Sequence, residues 1–65
     1  MTIRQQIVRY VNSVRNPAKR DYARAYLAWL ILDDDATPPP DRGTVSYMAA
    51  QGVRMQLRDL YAQPD

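Results

Sequence analysis

Four cations crowd one short stretch of this 65-residue sequence, at Arg15, Lys19, Arg20 and Arg24. Arginine and lysine in such a cluster are the residue types that contact phosphate oxygens. Arg20 and Arg24 stand four apart, so a helix places them one turn apart on one face, and Asn12 or Tyr22 could add hydrogen bonds. The charge of the whole chain dilutes this signal, because the formal net charge is only +2. Its distribution is uneven. Residues 1–24 carry six cations against the single carboxylate of Asp21, a net of +5, whereas residues 25–65 carry three arginines against six aspartates, a net of −3.

The densest acidic feature is Asp33-Asp34-Asp35. Carboxylates suit hard cations such as Mg²⁺ and Ca²⁺, but three consecutive ones point in different directions, and the alternating ligands and glycine of an EF-hand loop are missing. The run reads as a solvated helix end, or as a gatekeeper beside the apolar Ala28-Trp29-Leu30-Ile31-Leu32 stretch. Nucleophilic catalysis of the Ser-His-Asp or Cys-His kind is excluded in its usual form, since the chain has no histidine and no cysteine. Ser13 and Ser46 read as ordinary helix-surface serines. Lys19 would need an apolar pocket to act as a base, yet it neighbours Arg20 in a solvated first turn. The sequence therefore predicts no enzyme, no metal site and no small-molecule cofactor.

A domain of this length buries only about 60% of its unfolded surface and normally needs a staple. Disulfides and the usual structural zinc ligands are ruled out by composition, which leaves oligomerisation. Freedom from cysteine fits a reducing, cytoplasmic setting. The first residues alternate apolar side chains with Arg, Gln and Asn, unlike a signal peptide, and the apolar run from Ala25 to Leu32 is too short to span a bilayer. No membrane role is expected.

Apolar spacing sets the elements. Ile3, Ile7, Tyr10, Val11 and Val14 form one helical stripe, and Thr2 with Gln5 makes a capping-box pattern, predicting a helix over about 2–15. Asn16-Pro17 breaks it, with Asn16 as cap and Pro17 as the first residue of a second helix over about 17–34. There Ala18, Tyr22, Ala25, Trp29 and Leu32 make one stripe with Tyr26 at its edge, and Leu27 and Ile31 lie opposite. Residues 36–40, which include three consecutive prolines, form a linker. Asp41, or else Thr44, caps a third helix reaching about 62. Its stripe is Val45, Ala49, Val53, Leu57 and Leu60, widened by Met48 and Met55. Gly52 inside it suggests close helix contact or a local break. A helix-turn-helix would put its turn at Ala49–Val53, but the apolar phase runs straight through.

These features predict a single all-α, three-helix domain that self-associates as a symmetric dimer or joins a larger complex. The expected function is a small interaction or regulatory module that binds another macromolecule. Leu27, Trp29, Ile31, Met48 and Met55 are the candidate apolar contacts. Two geometries stay open: the second helix is sandwiched between the others, or Leu27 and Ile31 look outward as a binding surface. The alternative function is a nucleic-acid-binding regulator using Arg15, Lys19, Arg20 and Arg24. A structural part of a phage or multi-subunit machine fits the same residues.

Overall fold

In the computed structural model, which describes residues 2–64, the chain forms three α-helices, α1 (Ile3–Ser13), α2 (Pro17–Leu32) and α3 (Tyr47–Ala62), with no strand among those residues. Met1 and Asp65, the last of the acids counted above, lie outside them. The three-helix, all-α expectation holds, and the first two starts are set as the sequence predicts. The Gln5 amide donates to Thr2 Oγ1 at 3.2 Å while the Thr2 amide donates to Gln5 Oε1 at 3.0 Å, completing the capping box. At the corner, Asn16 Oδ1 accepts from the Lys19 amide at 3.0 Å, and Pro17 occupies the first helical position.

The third start differs. Neither Asp41 nor Thr44 caps α3; Ser46 does, its hydroxyl accepting from the Ala49 amide at 3.2 Å. Residues 41–45 are needed for a turn instead, with Gly43 at φ +56° and the Val45 amide donating to Arg42 O at 3.0 Å. Val45 before the cap and Ala50 four residues after it are both buried, which is the hydrophobic-staple arrangement that fixes the entry of a helix. Ser46 is thus a structural cap and not a plain surface serine. α2 stops at Leu32, two residues short of the expected end, because Asp33 turns into the left-handed region at φ 50°. α1 stops at Ser13 because Val14 is already extended ahead of the Asn16-Pro17 break.

The direction of the helices follows from which side chains meet. Ile3 and Ile7 line the same groove as Leu27 and Ile31, so α1 runs antiparallel to α2. Tyr22 shares a cleft with Tyr47 and Arg54, the Arg58 guanidinium lies 5.9 Å from the centre of the Tyr26 ring, and Ile31 shares the groove with Tyr61. α3 therefore runs parallel to α2. A parallel neighbour requires the chain to return along the length of α2, roughly 24 Å for sixteen residues. The whole connection from Asp33 to Ser46 supplies that reach, its proline run contributing about 3.1 Å per residue. The connection is longer than the 36–40 linker, spanning the whole interval from Asp33 to Ser46.

The strap is tied at both ends. Asp34 accepts from the Ala36 amide at 3.0 Å and from the Thr37 hydroxyl at 2.9 Å, and Thr37 O in turn accepts from the Trp29 indole N–H at 2.9 Å. Arg42 donates to Val45 O at 2.9 Å at the far end. One cluster from all three helices forms the core, and α3 supplies Ala50, Val53, Leu57 and Leu60 to it. α3 carries the most buried side chains, and of the pair on α2 whose direction was open, Leu27 is half-buried against the core while Ile31 is exposed. On α2 the buried side chains are Tyr22, Ala23 and Tyr26, whereas Ala25 and Leu32 of the expected stripe are exposed. With both α1 and α3 packed against it, the buried face of α2 lies about one residue, or 100°, from the expected stripe. On α3 the buried alanine is Ala50, with Ala49 half-buried.

Candidate functional site

The first turns of α1 and the last turns of α2 and α3 converge on an open groove of about 500 Å³. Its walls are apolar: Ile3, Ile7 and Val8 from α1, Leu27 and Ile31 from α2, and Tyr61 from α3, with Arg4 and Gln63 as the polar lining. Ile7 forms the floor and is buried; Val8 is 49% exposed, Ile31 61% and Tyr61 45%. These exposed apolar side chains adjoin one another on three elements, unlike the scattered single ones of an ordinary surface. The geometry has a local cause. The helices meet tightly through Val53, Leu57 and Tyr26, all fully enclosed, but beyond Leu60 nothing in residues 2–64 covers the end of the bundle.

Leu27 and Ile31 are therefore brought together, as the spacing of four implies, and Ile31 looks outward. The other predicted apolar contacts separate. Trp29 packs on the Tyr26 ring at a centroid distance of 5.4 Å and is held by Thr37, so it stabilises the strap and does not line the groove. Met48 and Met55 lie two turns apart on the outer face of α3, 83% and 60% exposed, away from the groove lining. Gly52 lies between them on that face. Nothing lies within 4 Å of a Cβ built there, so neither close helix contact nor a break accounts for it, and α3 runs on unbroken. Val8 and Tyr61 went unnoticed in the sequence. Val8 follows Ile7 and could have been found as a second apolar row on α1; Tyr61 gave no such signal.

The four cations also separate. Arg15 and Arg24 are exposed and Lys19 is half-buried. Arg20 reaches back across the corner to Val14 O at 3.4 Å, covering a carbonyl that α1 leaves open at its end. Tyr22 does not join Arg20 and Arg24, because residues two apart on a helix face opposite ways, and it is buried against α3.

No known protein family, curated protein or solved structure matches the chain.

Among the described residues no group of three or more acidic, histidine or cysteine side chains is placed to hold a metal ion, and Asp34 is already engaged in the strap turn. No helix there is long and apolar enough to cross a membrane. Burial pushes the Tyr10 phenol up from its ordinary value.

Proposed function

We propose that the protein is a small, non-enzymatic interaction or regulatory module of the cytoplasm that acts by binding another macromolecule through the groove between Val8, Ile31 and Tyr61. The observation that carries this reading is the exposure of those three side chains around a buried apolar floor. A second copy of the chain is the occupant its own composition favours. A short chain with neither cysteine nor histidine gains its missing apolar burial by pairing. Arg4 lines the groove, and Asp33, Asp34 and Asp35 follow directly on Ile31 and Leu32, so a two-fold pairing can set opposite charges against each other twice.

Affinity capture from the native host with the wild type and with Ile31→Glu tests the binding role. The reading expects bound protein, either the chain itself or a partner, to be lost on the substitution. Identical captured material from both would count against it.

A second reading, nucleic-acid binding, is favoured by one feature of the topology. Because α2 and α3 are parallel, both of their positive N-terminal ends point to the same end of the molecule, where Arg15 and Lys19 also lie. Loss of duplex or single-strand binding in Arg15→Ala with Arg24→Ala, and steep weakening with salt, would support it; no binding of either at low salt would remove it.

A further inference from the structure

A second concavity lies at the opposite end of the molecule from the groove, between the return strap and the start of α3. Its volume is about 350 Å³, within the range of roughly 300–1,000 Å³ typical of small-ligand pockets. Pro40, Asp41 and Arg42 form one wall; Tyr22, Tyr47 and Arg54 form the other. These residues lie on three separate stretches of chain and are brought together only by the fold.

The lining combines an exposed aromatic ring, Tyr47, with the guanidinium groups of Arg42 and Arg54. Tyr47 is 59% exposed, at the first position of α3, so its ring is open to a stacking partner. Arg54 has no hydrogen-bond or ion-pair partner among the described residues. Arg42 uses Nη1 on Val45 O, which fixes its guanidinium and leaves the remaining N–H groups for another acceptor. Lys19 stands three residues before Tyr22, hence on the same side of α2, and extends the positive surface toward the corner. Asp41 is the one carboxylate in the lining.

We propose that this cleft binds single-stranded nucleic acid, one base stacking on Tyr47 while Arg54 and Arg42 hold the adjoining phosphates. Stacking on an exposed ring needs an unstacked base, which a duplex does not offer. The proposal rests on the second functional reading and moves its site from the Arg15, Lys19 and Arg24 surface to the Tyr47 cleft.

Fluorescence anisotropy of a labelled oligothymidylate, at low and at physiological salt, tests it. The wild type binds the single strand in preference to a duplex of equal length. Tyr47→Ala weakens binding about tenfold and Tyr47→Trp retains it. Arg54→Gln weakens it and flattens the salt dependence, while Asp41→Asn strengthens it. Tyr47 is exposed, so circular dichroism melting of these variants stays close to wild type. The cleft is overturned if Tyr47→Ala binds like the wild type, if the duplex is preferred, or if thymidine monophosphate competes as well as the oligomer. Duplex binding that depends on Arg24 and ignores Tyr47 overturns the cleft yet upholds the nucleic-acid reading; no binding at low salt overturns both.

Discussion

Tyr26 is fully enclosed, and its hydroxyl has no hydrogen-bond partner among the described residues. Its ring is well used, packed between Tyr22 at 6.1 Å and Trp29 at 5.4 Å with Arg58 over one face. A buried polar group without a partner costs about 1–3 kcal/mol, so the ring stabilises the fold while the oxygen opposes it. Tyr26→Phe is accordingly expected to leave stability unchanged or raise it by about 1 kcal/mol, measured by urea unfolding. A loss larger than that would reveal a partner for the hydroxyl. Asp33 carries a different cost, with a left-handed backbone and a carboxylate at the negative end of α2. Asparagine tolerates that backbone and removes the charge, so Asp33→Asn should raise the melting temperature, corresponding to about 0.3–1 kcal/mol. At this scale the caps Thr2 and Asn16 were legible because capping is decided within four residues of chain. Ser46 was equally local, but Asp41 and Thr44 offered the same chemistry, and only the burial of Val45 separates them.

Elements follow the same division between local and distant causes. α3 runs unbroken through Gly52, which is exposed and leaves room for a methyl group, so Gly52→Ala should stabilise the protein by up to about 1 kcal/mol in chemical denaturation. A destabilising result would mean that the outer face of α3 is covered in solution. The strap is the element least visible in advance. Its proline run marked a linker, but not that Trp29 would pin it or that it would reach back along α2. Trp29→Phe keeps the ring against Tyr26 and deletes the bond to Thr37 O. It should cost about 1 kcal/mol and speed amide hydrogen exchange at Ala36 and Thr37, leaving exchange within α1 unchanged. Helical periodicity located α1, α2 and α3 but placed the buried face of α2 one residue off. Two neighbours share that face, and one sequence cannot tell which residues each will take.

At the scale of the molecule, the parallel run of α2 and α3 decides where function can sit. It gathers the starts of α2 and α3, with Arg15, Lys19, Arg42 and Arg54, at one end, and the apolar groove at the other. Leu27 and Ile31 were legible as a surplus, and the groove explains it: they complete a wall that Val8 and Tyr61 leave open. Trp29, Met48 and Met55 looked similar in sequence because exposure depends on the neighbours that a fold supplies, not on residue type. A second copy of the chain is the proposed occupant of this groove. Sedimentation velocity over a micromolar concentration range, comparing the wild type with Ile31→Glu and Val8→Glu, tests it most directly. The expected result is a wild-type assembly heavier than the monomer, and monomeric variants with unchanged circular dichroism. Wild type and variants sedimenting alike as monomers throughout would contradict it.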